Sequence, residues 1–137
     1  MKRILAIAGL LSTVLFSGPV AAQCLEYEPK VVSLSGTLVR ETHPGPPNFE
    51  SIARGDKPET IWVLRLKAAI CVLAANEFDV KEDSEKEVQL ALEPEQYKRY
   101  RKLLGQRVTV TGMLFHSHTG HHHKRLLLTT SAIKKTA

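Results

Sequence analysis

Five short segments of this chain alternate apolar and polar residues, and this period of two is the strongest constraint on its fold. In the first segment, residues 31–40, Val32, Leu34 and Leu38 share one face, with Gly36 between them. Such alternation is typical of β-strands with one buried face, and a glycine inside a strand often marks a bulge or a bend. The other predicted strands span residues 61–67, 87–92, 107–115 and 124–133, and the pattern of the second also allows it to continue to residue 72.

One helix is predicted between the third and fourth strands, over residues 94–104. Pro94 suits the first helical position, where an N–H has no partner within the helix, and the helix dipole favours Glu95 beside it. Gly105 stands where a C-terminal cap belongs. The apolar residues of this segment share one helical face: Tyr97, Tyr100, Leu103 and Leu104.

This order of elements predicts a mainly β fold. It matches a five-stranded OB-fold-like Greek-key barrel with one helix between strands 3 and 4. Another small β-barrel or sandwich with one helix is the alternative. In an OB barrel, the loops between strands 1 and 2 and between strands 4 and 5 flank the ligand-binding face.

The first 22 residues predict a signal peptide. Residues 1–3 are a short basic start, residues 4–16 are an almost unbroken apolar run, and residues 20–22 place small side chains at the usual cleavage spacing. A membrane-spanning helix needs about 20 apolar residues, more than this run has. Cleavage near Ala22 would leave residues 23–137 as a single periplasmic or secreted domain of 115 residues with a formal charge of +3. This modest charge gives little reason to expect a nucleic-acid partner.

Cys24 and Cys71 are the two cysteines of the sequence. An exported protein meets an oxidising compartment, so we predict that they form a disulfide, with two free buried thiols as the alternative. Antiparallel pairing of the first two strands would bring the two positions together. Two cysteines are too few for a tetrahedral zinc site.

Two segments predict long loops. Residues 43–58 contain four prolines and two glycines, which is incompatible with regular structure. Residues 76–86 are polar and mostly acidic, and they predict a solvated loop. A loop of the first kind needs an anchor, so Phe49 is expected either to pack on the barrel as a lid or to make an exposed contact. The candidate binding residues of this loop are Pro46, Asn48, Phe49 and Glu50.

The histidines carry the clearest functional signal. Five of the six lie within residues 116–123, and the sixth, His43, lies in the proline-rich segment after the first strand. All six therefore fall on the two loops that flank the ligand face of an OB barrel. The five clustered residues are His116, His118, His121, His122 and His123.

The turn between the fourth and fifth strands decides which histidines share a face. A two-residue turn would place four of them on one surface, but it would set Arg125 opposite the inward Leu114. A three-residue turn over residues 118–120 keeps the leucines of the fifth strand inward, so we prefer that register. It makes His116 and His122 a direct cross-strand pair, about 5 Å apart at Cβ.

This pair predicts a transition-metal site. The predicted ligands are His116 and His122, with His118 or His43 as a third, and imidazole suits zinc, copper and nickel. No established metal motif is present, so a solvated hairpin tip is the alternative, followed by a pH switch. His121 and His123 point the other way in this register and are assigned to the binding loops.

These features predict an exported binding module that uses both loops, with the histidine-rich metal site as its ligand-binding group. The alternative is a protein-interaction or inhibitor module of the cell envelope without a metal, whose partner is an envelope protein or a small ligand. No nucleophile elbow, catalytic cysteine or phosphate loop occurs, so we predict no enzyme. A hydrolase that uses the loop carboxylates Glu50, Asp56 and Glu59 is least favoured. The basic residues around 98–102 predict the solvated face of the helix, with anionic lipid or polysaccharide as the alternative partner.

Residues 28–39, 44–52, 55–60 and 108–123 together carry a recognisable pattern, in which the T-G-H-H-H stretch at 119–123 is the most distinctive part. In these stretches the chain resembles a family of small exported bacterial proteins that is classed as a domain of unknown function. The resemblance extends over nearly the whole mature chain and implies export and a single domain. It brings no activity, ligand or catalytic residue.

Overall fold

The computed structural model describes residues 13–16, 18 and 23–136. Most of the predicted signal peptide, including the cleavage site near Ala22, lies outside the described residues. Within the part that is described, no helix is long and apolar enough to cross a membrane.

The fold is mainly β, as the alternation predicts. The single α-helix of the described residues, α1 (Pro94–Tyr100), lies between the third and fourth strands, and a 3-10 turn (Arg101–Leu103) continues it. It begins with a capping box, in which the side chain of Gln96 accepts the Glu93 N–H at 2.8 Å. The five strands are β1 (Val31–Pro44), β2 (Pro58–Val72), β3 (Glu82–Ala91), β4 (Arg107–His116) and β5 (Leu126–Lys135).

The strands form a closed barrel in the order β1-β2-β3-β5-β4. Four of the five pairings are antiparallel, while β3 and β5 run parallel. A parallel pair needs a crossover connection, which α1 and β4 provide here.

The hydrophobic core lies inside the barrel and follows the strand registers. Leu38 pairs with Leu64, Leu64 with Val88, and Val88 with Leu126, and all four side chains are fully buried. Burying one such side chain stabilises the fold by about 1.5–3 kcal/mol. The predicted apolar face of the helical segment packs against this core: Tyr97, Tyr100, Leu103 and Leu104.

Gly36 lies where β1 changes partners. Residues 31–37 pair with β4 and residues 36–44 pair with β2, and the register runs through the glycine without a bulge. A Cβ at this position would lie 2.2 Å from the carbonyl oxygen of Arg65. Glycine is therefore required because the two strands approach too closely for any side chain.

The predicted acidic loop is wrong over residues 82–86, because β3 begins at Glu82. Its partner is the continuation of β2 to Val72, which the sequence pattern allowed. Ile70 pairs with Glu85 and Val72 with Glu82, with register shifts on both sides of Ile70. The acidic residues Glu82, Asp83 and Glu85 gave this segment a loop-like composition, although only Asp83 is exposed.

The predicted boundaries of the proline-rich loop shift inward. His43 pairs with Glu59 and Pro44 with Pro58, so β1 and β2 extend to residues 44 and 58. The connection between them, residues 45–57, is called the proline loop below. The two prolines that fall in strands occupy the ends of the ladder, where a missing N–H is tolerated.

The predicted three-residue turn between the last two strands is also wrong. His116 pairs with Leu126 and Leu114 with Leu128, so β4 and β5 are joined by residues 117–125, called the histidine loop below. The observed register differs from the predicted one by four residues. Because an even shift keeps every side chain on the same face, the inward leucines could not distinguish the two registers.

The predicted disulfide between Cys24 and Cys71 is confirmed, with the two Cα atoms 4.6 Å apart. Backbone hydrogen bonds support it on both sides. Leu25 N–H donates to Cys71 O at 2.8 Å, and Leu73 N–H donates to Leu25 O at 2.8 Å. The disulfide therefore ties the segment before β1 to the end of β2.

Candidate functional site at the histidine loop

The histidine loop lies against the outer face of the barrel, the face whose side chains point away from the core. Because successive side chains of a strand alternate between faces, Ile61 and Val63 of β2 lie on this outer face, opposite in phase to the core residue Leu64. Gln89 pairs with Val63, and Leu127 pairs with Gln89. All four outer-face side chains are buried, so this part of the face is covered.

Gln89 holds the histidine loop in place. Its side-chain amide donates to His121 O at 3.0 Å, and its carbonyl oxygen accepts the His123 N–H at 2.7 Å. Gln89 is itself buried. An unpartnered buried amide would cost about 1–3 kcal/mol, so these two bonds fix the loop backbone over β3.

Glu59, at the start of β2, accepts hydrogen bonds from two histidines of the loop. One oxygen accepts from His121 Nδ1–H, and the other accepts from His123 Nε2–H at 2.7 Å. Burial raises the pKa of Glu59, but the hydrogen bonds from His123 and His121 outweigh it and hold this pKa below its ordinary value of 4.5. Glu59 is therefore a carboxylate held between two imidazoles.

His43 stacks on His123 on the same face. The ring centroids are 4.6 Å apart and the rings are nearly parallel, at 14°. His43 Nε2 lies 3.9 Å from Glu41 Oε1, beyond hydrogen-bond distance. Burial and the neighbouring His123 lower the pKa of His43 below 6.5, so this ring favours the neutral form.

His43 and Glu41 each have one buried polar atom without a hydrogen-bond partner among the described residues. These atoms are His43 Nε2 and Glu41 Oε2. Glu41 Oε1 instead accepts from Lys124 Nζ at 3.1 Å, and Lys124 also donates to Glu87 Oε2 at 2.5 Å. Burial lowers the pKa of Lys124, but the hydrogen bonds to Glu87 and Glu41 raise it above 10.5. Charged groups of β1, β3 and the histidine loop are thereby joined in one network.

The proline loop reaches the histidine loop through Phe49. Its ring meets the His121 ring edge to face, with centroids 5.1 Å apart. A Cβ on Gly120 would lie 3.0 Å from the Phe49 ring, so the absence of a side chain there admits the ring. The predicted alternatives for Phe49 were a lid on the barrel and an exposed contact; its half-buried ring packs instead against the histidine loop.

Asp56 organises the proline loop from within. Its carboxylate accepts the backbone N–H groups of Asn48 at 2.9 Å, Glu50 at 2.8 Å and Ser51 at 2.8 Å. These bonds, led by those from Ser51 and Glu50, hold the pKa of Asp56 below its usual range. The other candidate binding residues of this loop, Pro46, Asn48 and Glu50, are exposed.

His118 and His122 form a separate pair at the tip of the histidine loop. Their ring centroids are 4.6 Å apart. His122 Nδ1 accepts the backbone N–H groups of His118 at 2.9 Å and Thr119 at 3.3 Å. Burial and the neighbouring His118 lower the pKa of His122. A neutral imidazole that accepts at Nδ1 carries its proton on Nε2, so neither nitrogen of His122 offers a lone pair to a metal.

His116 lies apart from both pairs, on the inward side of β4. Its Nε2–H donates to Glu82 Oε1 at 2.8 Å, and its Nδ1 lies 3.3 Å from Ser117 O. Arg125 NH1 reaches the other oxygen of Glu82 at 3.4 Å. Both ring nitrogens of His116 thus face oxygen atoms of neighbouring groups.

The structure does not bring the predicted metal ligands together. His116 bonds to Glu82, His122 lies beside His118, and His43 stacks on His123; the predicted His116–His122 cross-strand pair is replaced by the pairing of His116 with Leu126. Among the described residues no group of three or more His, Cys, Asp or Glu side chains is placed to hold a metal ion.

A cavity of about 330 Å³ opens beside the contacts of Glu59. Its accessible apolar lining comes from Ala91, Leu92 and Tyr97, and its polar lining includes Glu59 and His121. This volume lies near the lower end of the range for small-ligand sites, roughly 300–1,000 Å³. The cavity can accept a compact group with one apolar and one polar side.

Sequence reasoning assigned His121 and His123 to the binding loops but missed their partners. Glu59 was considered as a loop carboxylate, while Glu41, Gln89 and Lys124 were not singled out. The available signal was the alternation of side chains between the two faces of a strand. Glu41 and His43 lie on the outward face of β1, and Gln89 lies on the face of β3 that points away from the core. That signal becomes useful only when the strand registers are known.

The comparisons with known proteins bear on the second half of the chain. Residues 87–134 match the model of a domain of unknown function, DUF4431. The match supports the resemblance to an uncharacterised family and runs from within β3 to near the end of β5. It includes the histidine loop and leaves His43 and Glu59 outside. No curated protein matches the chain.

Proposed function

We propose that this protein is an exported binding module with an OB-fold-type barrel, acting in the periplasm or outside the cell after removal of its signal peptide. The basic start and apolar run of residues 1–16 support export, and the Cys24–Cys71 disulfide suits an oxidising compartment. Five strands with one helix between β3 and β4 support the OB assignment.

The observation that carries the proposal is the contact of Glu59 with His121 and His123. It holds the histidine loop over the outer face of β1, β2 and β3, next to the proline loop. The histidine loop, the start of β2 and the end of β3 line the cavity. The accessible lining of this cavity is more polar than apolar, and convergent polar groups in a concave site fix the orientation of a ligand.

The lining chemistry defines the class of ligand. The half-buried Ala91, Leu92 and Tyr97 suit a small hydrocarbon or aromatic group. The carboxylates of Glu59 and Glu93, which also line the cavity, suit an amine. Either a small amphipathic amine or the side chain of an envelope protein can present these groups. The proposed ligand is therefore an apolar body that carries a cationic head.

A titration with 2-phenylethylamine followed by amide NMR tests this proposal. Saturable shifts are expected for residues 59–61 and 127–129, which line the cavity or adjoin it. Thr129 is exposed and lines the cavity from β5, so Thr129→Trp should fill the space and abolish the shifts. Ser131→Trp, two residues along the same strand and outside the cavity lining, is the matched control.

Binding that disappears in Thr129→Trp and persists in Ser131→Trp supports the cleft. Non-saturable shifts, or binding that survives Thr129→Trp, would overturn it. Thermal unfolding of both variants, compared with the parent protein, separates blocked binding from loss of the fold.

A transition-metal site at Glu59, His121 and His123 is a second candidate, although the described side chains are not placed to hold a metal ion without a rearrangement. The observation that favours it is one carboxylate held between two imidazoles, the donor types that zinc, copper and nickel accept. Metal bonds of about 2.0–2.1 Å in tetrahedral geometry separate ligand atoms by about 3.3 Å. The distance of 2.7 Å between His123 Nε2 and Glu59 Oε2 would therefore have to lengthen to about 3.3 Å before both atoms could bind one metal ion.

Calorimetric titration of zinc, copper and nickel tests this second candidate. The variant pair His121→Ala and His123→Ala removes the proposed ligands, while His118→Ala removes an exposed histidine of the same loop. Binding tighter than about 10 μM that is lost in the first pair and kept in His118→Ala supports the site. Weaker binding, or equal losses in all three variants, contradicts it.

A further inference from the structure

A second concave surface lies on the outer face of the barrel, where β1 changes partners. It forms where β1 leaves β4 and joins β2, around Gly36 and Thr37. The groove has a volume of about 470 Å³. It shares no lining residue with the cavity beside Glu59.

Cationic side chains flank the middle of this groove. Thr37 pairs with Arg65 on β2 and with Arg107 on β4, so one arginine lies on each side of it. Directly opposed residues have Cβ atoms about 4.5–5.5 Å apart. Lys67 follows Arg65 by two residues and therefore shares its face. All three cations line the groove.

The groove has an unbalanced positive charge. Among the described residues that line it, none is acidic. Arg65 forms an ion pair with Glu87 at 3.5 Å and lies 4.0 Å from Glu41, at the limit of ion-pair distance. Lys67 and Arg107 make no ion pair within the described part of the chain. Two cations thus remain available to an anionic ligand.

Hydroxyl groups form the rest of the polar lining. Ser35 Oγ lies 2.9 Å from Thr109 Oγ1, and Thr109 Oγ1 lies 3.2 Å from Thr136 Oγ1. Thr136 is held in place by its N–H, which donates to Arg107 O at 2.9 Å. Hydroxyls and guanidinium groups together are the donors that phosphate oxygens accept.

We propose that this groove binds a phosphate group of a soluble phosphorylated ligand. Arg107 can donate paired N–H groups to phosphate oxygens, and Lys67 adds a second charge that no carboxylate among the described residues offsets. No described lining residue is aromatic, so the groove lacks the stacking platform that nucleobases or sugar rings would require. This inference goes beyond the proposed binding cleft and does not depend on it.

Titration with inorganic pyrophosphate at low ionic strength tests the proposal, read by calorimetry and by amide NMR. Saturable binding is expected, with shifts at Ser35, Thr37 and Thr136. The double variant Lys67→Gln/Arg107→Gln should bind at least tenfold more weakly. Lys98→Gln/Arg99→Gln removes the same charge from the exposed face of α1, and it should bind as the parent protein does.

Three results would overturn the proposal. The first is the absence of saturable binding, and the second is an equal loss in both double variants, which would mean a response to net charge alone. The third is binding to phosphatidylglycerol vesicles without binding to pyrophosphate, which would assign the surface to a membrane. Circular dichroism of both variants verifies that each remains folded.

Discussion

Glu59 accepts a hydrogen bond from His123 Nε2–H at 2.7 Å, although 64 residues separate the two in the chain. Glu59 follows the proline loop at the start of β2, and His123 lies in the histidine loop. The side chains are 24% and 10% exposed, respectively. A partly shielded contact of this kind fixes the relative position of the two loops and retains more of its strength than a surface ion pair.

Replacement of Glu59 by glutamine should destabilise the protein by about 1 kcal/mol, because it removes the charge that strengthens both imidazole hydrogen bonds. Partial exposure keeps the effect below that of a fully buried pair. Urea unfolding measures this change. Glu50→Gln, in the exposed part of the proline loop, is the matched control and should stay within about 0.5 kcal/mol of the parent protein.

Stability should fall as the pH drops below about 6.5, because the native state lowers the pKa values of His43 and His122 from their ordinary value of 6.5. The unfolded chain binds the protons that these rings resist in the native state, so protonation favours unfolding. Glu59 adds to the loss at lower pH, since its native pKa lies below 4.5.

Chemical unfolding between pH 7.5 and 5 measures that slope. His122→Asn should flatten it, because the asparagine oxygen can accept the same loop N–H groups without titrating. A slope equal to that of the parent protein would contradict the assigned role of His122.

Removal of the disulfide by Cys24→Ala/Cys71→Ala should cost about 4 kcal/mol, from the chain entropy that the crosslink removes in the unfolded state. The two residues are 47 positions apart, so the loop they close is long. Calorimetric melting measures the change. A reductant should lower the melting temperature of the parent protein and leave the variant unaffected; equal responses would argue against the crosslink.

Gly36→Ala should destabilise the fold by more than about 2 kcal/mol, because the new Cβ would overlap the backbone oxygen of Arg65. The comparison is Gly120→Ala, whose Cβ would touch only the Phe49 ring. A ring can move where a strand backbone cannot, so this second substitution should cost less. The difference in urea midpoints tests this order.

The sequence predicted much of the fold because strands and helix have local signals. Alternation identified all five strands, and Pro94 and Glu95 identified the start of α1. Export chemistry predicted the pairing of Cys24 with Cys71. Each of these inferences depends on the residue itself and its close neighbours, or on the compartment.

The register of β4 and β5 could not be predicted in the same way. A shift of four residues keeps Leu126 and Leu128 inward, and the register shift beside Gly112 lies far from the turn. The same limit applies to the site. Composition identified the histidines, but Glu59 and Gln89 become their partners only through strand pairings that no local pattern encodes.

A double-mutant cycle on Glu59→Gln and His123→Asn tests most directly whether the two loops are joined through this contact. The free energies of unfolding of the parent protein, both single variants and the double variant are measured in urea at pH 7. A coupling energy of about 1 kcal/mol between the two positions is expected. Additive effects, with a coupling energy near zero, would show that the loops are held by other contacts.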